Sequence, residues 1–332
     1  MSLVQIVPNL SSQADGVAQM ARALARGLEA VGLATRFVSG SDVFGDSTRL
    51  KATLESGPVL LHYVGYGYHA DGCPNWLVEG IEGWRNESGG RLLVLFHEVF
   101  ATGPPWSRTF WFSPSQRAIA RRLAQACDRA VTSLEAYATL LRPWRAGRST
   151  EVWPVVSPFV EPGTVEPLST RHSTLLVLGG PGNRQRMYRS HGGPLRAACE
   201  ALGIEEVLDV GPTPERQQRL PGFRAIGPLG DAAVGQLLLE ARAGLVSYPA
   251  GFFAKSTVAA AYCAHGLLPV CLVPSSSSEG LVEGRHYWSP GSSSQIGDQE
   301  QVARDARAWY LGHGLEIQAK WYARALGLQT SP

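Results

Sequence analysis

Lysine is almost missing from this 332-residue chain: of 30 basic residues only Lys51, Lys255 and Lys320 are lysines, and the rest are arginines. The net charge of +2 leaves no basic excess of the kind that neutralises a phosphate backbone. That argues against a nucleic-acid partner. Cysteine is scarce too. Cys73, Cys127, Cys199, Cys263 and Cys271 are scattered, odd in number and without metal-ligand spacing. A reduced, intracellular protein with no disulfide framework and no zinc site is expected. No stretch approaches the roughly 20 apolar residues that span a bilayer. The opening "MSLVQIVPNL" reaches polar "SSQADG" too soon for a signal peptide. An integral membrane segment is therefore excluded, peripheral contact stays open, and the cytoplasm is the expected location.

Several chemistries fall to a single missing residue. "HEVFA" at 97–101 has Ala101 where a zincin's second histidine would stand, and no GxSxG elbow occurs. No Asp-x-Asp pair is present for a metal-bound sugar nucleotide. "PAGFFAKST" ends like a P-loop, but Pro249 and Ala254 occupy the glycine positions. "GGPG" at 179–182 lacks the third glycine of a dinucleotide fingerprint. What remains is a globular composition, 44% hydrophobic and 17% charged, in a chain long enough for two domains.

Both halves alternate short apolar runs with helical patterns. "LVQIV" (3–7), "ATRFVSG", "PVLLHYVG", "RLLVLFHE" and "RAVTS" read as strands, the middle ones as nearly continuous apolar runs typical of parallel sheets. Helices are expected at 17–32, ending in Gly32, and in "SQRAIARRLAQACD" and "LEAYATLLRPW". Residues 154–172 break the rhythm with four prolines. A second series follows: strand "STLLVLGG", loop "PGNRQRMYRSHGG", helix "PLRAACEALG", strand "EEVLDVG", helix "AAVGQLLLEA", strands "AGLVSYP" and "LPVCLV". Serine clusters at 275–278 and 292–294 read as loops, and a helical tail is interrupted near Gly312 and Gly314. The expected class is α/β, with two Rossmann-like doubly wound domains facing across a cleft. Residues 1–158 would form the first domain and 159–310 the second, and helix 311–332 would cross back to the first.

Open α/β sheets bind ligands beyond the carboxyl ends of their strands, so the loops after strands hold the candidates. In the second half, Gly180 and Arg184 in "GGPGNRQR" join a backbone that can approach an anion to a cation. Lys255, Ser256 and Thr257 precede an apolar helical run, whose N-terminus favours phosphate. Either hydroxyl could instead be a simple N-cap. In the first half, Gly16 opens the first long helix. His97 and Glu98 close an apolar strand, where they could do acid–base work or serve only the structure. Tyr63, Tyr66 and Trp106, with Tyr68, Trp76, Phe110 and Trp111, could stack on a sugar or pack loops onto the sheet.

These segments together resemble the GT-B glycosyltransferases, especially the large retaining group often called family 4. "ADGVAQMARALARGLEAVG" is similar to their GGV loop and helix, with Asp15 in place of the first glycine. "LFHEVF" sits like their strand-end histidine motif, and "VVSPFVEPG" like their interdomain segment. "LLVLGGPGNRQRMY" matches their donor loop without its lysine. "AAAYCAHGLLPV" is similar to their helix and turn before the next strand. The patches "HYVGYG" and "GPPW" are also similar to those of bacterial glycosyltransferase-like proteins. Counting back from Gly266, the family's paired glutamates fall on Phe253 and Ala261.

The resemblance implies a hexosyl-type transfer, with retention, from a nucleotide-diphosphate sugar to a hydroxyl on a sugar, glycan or small molecule. The donor would lie mainly in the second domain, with Gly16, Gly180, Arg184, Lys255, Ser256 and Thr257 as contacts. The acceptor would lie mainly in the first, near Tyr63, Tyr66 and Trp106. His97 would contact the sugar or the reacting hydroxyl, with Glu98 orienting it or acting as base. No cofactor and no metal are expected, because cationic side chains and a helix end would stabilise the leaving group. A catalytically degenerate binder of the same fold is the main rival, and an epimerase or phosphorylase of that fold the second.

Overall fold

The computed structural model describes residues 2–10, 15–54, 57–212, 220–273, 280–290 and 298–328. Residues 11–14 of the first polar loop and the two serine clusters lie outside them. The chain divides into two compact units, Met1–Pro154 with Leu315–Pro332, and Val155–Gly314. The boundary follows Pro154 rather than 158, and the second unit runs to Gly314 rather than 310.

The first unit is built from β1 (Leu3–Val7), α1 (Gly16–Ala30), β2 (Thr35–Ser39), α2 (Ser47–Thr53), β3 (Val59–Tyr63), α3 (Gly65–Tyr68), α4 (Asn75–Ser88), β4 (Leu92–Phe96), α5 (Arg108–Ala126), β5 (Arg129–Thr132), α6 (Glu135–Leu141) and β6 (Thr150–Val152). Its sheet has the order β2-β1-β3-β4-β5-β6 with every pair parallel. β1, β3 and β4 are buried along their whole length, as expected of strands covered on both faces. Asp15 caps α1 by accepting from the Val17 amide at 2.9 Å.

The second unit contains β7 (His172–Val177), α7 (Pro181–Leu202), β8 (Glu206–Val210), β9 (Arg224–Gly227), α8 (Asp231–Glu240), β10 (Ala241–Val246), α9 (Thr257–Ala264), β11 (Leu268–Cys271) and α10 (Gln299–Leu311). Its parallel sheet has the order β11-β10-β7-β8-β9. The last helix, α11 (Leu315–Ala325), belongs to the first unit. It lies against α1 so closely that a Cβ on Gly27 would sit 2.8 Å from Leu315 Cδ1. Gln318 Nε2 also donates to the Pro154 carbonyl at 2.6 Å.

Two elements depart from the sequence reading. The expected loop after β7 is helical, because Pro181 occupies the first turn of α7, where its missing N–H costs nothing. That helix kinks at His191 (φ −131°, ψ 22°), just before Gly192, Gly193 and Pro194. Helix α5 starts at Arg108 instead of 115, since Ser107 caps it and Pro114 is accommodated inside. Among the described residues, no helix is long and apolar enough to cross a membrane.

Candidate functional site

In the second unit the strand order reverses between β7 and β10, the place where such sheets take ligands. The loop leaving β7 carries Gly179 and Gly180. The loop leaving β10 leads through a 3-10 turn, Ala250–Lys255, to Ser256 and Thr257. The two loops meet. A Cβ on Gly179 would lie 3.8 Å from Ser247 Oγ and 3.9 Å from Val258 Cγ2, and Asn183 Nδ2 donates to Tyr248 Oη at 2.9 Å. Gly179 has φ +124°, a backbone state open to glycine and strained for other residues. Gly180 is the N-cap of α7, makes no side-chain cap bond, and has open space where a Cβ would stand.

Helices α7 and α9 thus both begin at the reversal point, and each brings the partial positive charge of a helix N-terminus. At α9 the Ser256 hydroxyl accepts from the Ala259 amide at 3.2 Å, and Ala260 N–H makes the first helical bond to Ser256 O at 2.9 Å. Ser256 is buried, so its oxygen serves the helix as a cap. The amides of Thr257 and Val258 precede that first helical bond. Lys255 and Thr257 are half-buried on either side of Ser256.

Arg184 does not present its charge to this loop. It is 1% exposed and ion-paired with Asp209, and it donates to Gly179 O at 3.0 Å and Pro212 O at 2.6 Å. Tyr188 donates to the same buried carboxylate. The arginine predicted as a diphosphate contact instead pins the loops after β7 and β8 together from beneath. A Cβ on Gly211 would sit 2.8 Å from Arg184 Nη2, so that glycine makes room for the guanidinium. Tyr262 secures the other side. Its hydroxyl donates to Leu176 O and accepts from Leu178 N–H, both at 3.0 Å, which ties α9 to the end of β7.

The positions matching the family's paired glutamates are apolar core. Ala261 is fully buried, and Phe253 packs edge-on against Tyr287 with ring centroids 5.0 Å apart. A carboxylate at either place would be cut off from water, so their replacement keeps the core closed.

In the first unit the register explains which side chains meet. Gln5 aligns with Leu60, and His62 with Leu95. Side chains alternate along a strand, so Gln5, His62 and His97 fall on one face of neighbouring strands. They form a chain: Gln5 Oε1 to His62 Nε2 at 2.8 Å, and His62 Nδ1 to His97 Nε2 at 3.1 Å. His62 is fully buried, and burial first, then the neighbouring His97, holds its pKa well below the ordinary histidine value. The His97 amide donates to Tyr63 O at 2.9 Å, which fixes the histidine just past the strand end, where it and Glu98 are half-buried.

The same alternation sends Tyr63 the other way. Its ring is 1% exposed and packs edge-on to Phe96, at 5.5 Å between centroids, so it is core and not an acceptor contact. Tyr66 is exposed, and its hydroxyl accepts from Gln116 Nε2 at 3.0 Å. Trp106 is 86% exposed just before α5, and Gly16 is exposed in the first turn of α1. Among the described residues, no three His, Cys, Asp or Glu side chains gather as a metal site would require. Gln5, His62, Asp209 and Tyr262 were not among the sequence candidates. For Gln5 and His62 a signal was present: one polar residue inside an otherwise apolar buried strand.

No protein-family model and no curated protein sequence matches the chain. Solved structures do. An alpha-glucosyltransferase in complex with UDP and a 13-mer DNA matches at TM-score 0.59 and 8% identity, covering 98% of each chain. HepE of Anabaena in complex with UDP and glucose matches at TM-score 0.59 and 12% identity, covering 98% of this chain and 99% of its own. The alpha,alpha-trehalose 6-phosphate synthase of Burkholderia multivorans matches at TM-score 0.53 and 12% identity, covering 98% and 96%. The first of these holds DNA beside UDP, so the exclusion of nucleic acid drawn from net charge does not stand as a property of the fold. Over nearly its whole length the chain has the fold of the GT-B glycosyltransferases, with two Rossmann-like units.

Proposed function

We propose that this chain is a glycosyltransferase that moves a sugar from a nucleotide-diphosphate sugar to a hydroxyl acceptor, with retention and without a bound metal. The observation that carries this reading is the meeting of the Gly179–Gly180 loop and the start of α9 at the strand-order reversal of the second unit. Two helix N-termini and an open glycine backbone suit a diphosphate. The UDP held by the alpha-glucosyltransferase and by HepE, on the same fold, supports a nucleotide as its carrier.

Gly180, Thr257 and the Lys255 ammonium hold the diphosphate, which gains charge as its bond to the sugar breaks. Ser256 keeps its helix-capping bond and adds only its hydroxyl hydrogen. Tyr66 and Trp106 offer surface rings to the acceptor. His97 contacts the acceptor hydroxyl and takes up the proton that the hydroxyl loses as the new glycosyl bond forms, and Glu98 orients it.

The buried apolar residues at the paired-glutamate positions favour one alternative, a binder of the same ligand without turnover. Thermal stabilisation by UDP-, GDP-, ADP- and TDP-sugars tests binding, with about 2.7 kcal/mol expected at 100 times the dissociation constant. Nucleotide release in the presence of acceptors separates enzyme from binder. Lys255→Ala should weaken both binding and turnover; if it changes neither, the lysine has no part in the site. His97→Ala should abolish turnover and spare donor binding.

A further inference from the structure

The buried Gln5–His62 pair has no place in the donor or acceptor contacts, yet it ends on His97. We infer that Gln5 and His62 are positioning residues that fix the hydrogen of neutral His97 on Nε2 and leave Nδ1 as the nitrogen that takes up a proton. This rests on the reading of His97 as the group at the reacting hydroxyl.

Gln5 Oε1 has only lone pairs to offer, so His62 Nε2 must carry the hydrogen of their 2.8 Å contact. His62 is fully buried at the crossing of β1, β3 and β4, where a charged imidazole is disfavoured, so it is neutral and its Nδ1 is an acceptor. The 3.1 Å contact to His97 therefore takes its hydrogen from His97 Nε2. A proton gained at His97 Nδ1 leaves that bond intact, since both ring nitrogens then carry hydrogen. The ring is held as well as charged. Its plane lies 18° from that of His62, and its backbone is bound to Tyr63 O. Tyr68 anchors the other end by donating to His62 O at 2.9 Å and Ile6 O at 3.2 Å. The result is the orienting partner that an acid–base histidine requires.

The test uses the full chain with 15N-labelled histidine and long-range 15N–1H spectra at neutral pH. His62 and His97 are identified among the eight histidines by His62→Gln and His97→Gln. Both rings should appear as Nε2–H. Gln5→Leu should release that preference at both rings. It should also lower turnover at least tenfold, with the donor KM unchanged. Gln5→Glu keeps an acceptor at the same place and should restore both the tautomer and turnover. An Nδ1–H signal on either ring of the unaltered chain overturns the inference, and so does a His97 tautomer indifferent to Gln5→Leu. Loss of turnover in Gln5→Glu equal to that in Gln5→Leu overturns the positioning role. If both rings read Nε2–H but no nucleotide-sugar is turned over, the glycosyl-transfer reading fails while the hydrogen assignment stands.

Discussion

At the scale of single residues, the most informative feature is a polar side chain buried within a strand. Gln5 in "LVQIV", His62 in "VLLHY" and Asp209 in "EVLDV" are each fully buried, and each finds a specific partner. Burial without a partner would cost several kcal/mol, so each such residue announces a bond that sequence alone cannot complete. Asp209 shows the consequence. Removing it by Asp209→Ala would leave the Arg184 guanidinium buried without its carboxylate, at a cost of about 3–5 kcal/mol. Urea unfolding should show this as a lower midpoint at unchanged slope. Tyr262→Phe removes the bridge between Leu176 O and Leu178 N–H, and should cost about 1–3 kcal/mol for the stranded amide. The strand-end position of His97 was legible from the apolar run before it. The partner that orients it was not, because it lies 35 residues away and the register that joins them is a property of the sheet.

At the scale of elements, the strands were legible because parallel strands read as short continuous apolar runs bounded by loops. The starts of α5 and α7 were not, because proline and glycine punctuate loops and also open helices. "GGPGNRQRMYRS" reads as a loop through its glycines and arginines. It folds as helix because Pro181 sits at the first position and Met187 and Tyr188 supply a buried side. Arg184, drawn from that supposed loop as a surface cation, is turned inward by the helix. The start of α9 makes a sharper case. Ser256→Ala removes its cap and should destabilise the second unit by about 1 kcal/mol, read as a modest fall in melting temperature. Gly244→Ala should cost more. Its Cβ would stand 2.5 Å from the Tyr262 ring, and overpacking of this kind costs about 1–3 kcal/mol.

At the scale of the whole molecule, each unit buries a histidine. Burial holds His62 of the first unit well below its ordinary pKa, and lowers His313 of the second to about 4 from 6.5. A base whose folded pKa is depressed contributes stability that is fully present above its unfolded value. That contribution is lost as pH falls towards the folded value. Stability should therefore decline from about pH 6.5 downward, with His313 contributing on the order of 3 kcal/mol by pH 4. His313→Phe, which keeps a ring against Trp309 and Tyr310, should flatten that part of the profile in urea titrations at pH 7.5 and 5.

The placing of a diphosphate on the glycine loop of the second unit is tested by calorimetric titration of Gly180→Asp beside the unaltered chain. Gly180 has φ −61°, open space around its missing Cβ and the N-cap place of α7, where aspartate caps as well as any residue. The substitution should leave the melting temperature equal or higher while weakening the best nucleotide-sugar at least tenfold, about 1.4 kcal/mol, because a carboxylate then occupies the phosphate's place. An affinity unchanged within twofold on a folded Gly180→Asp chain would contradict the assignment.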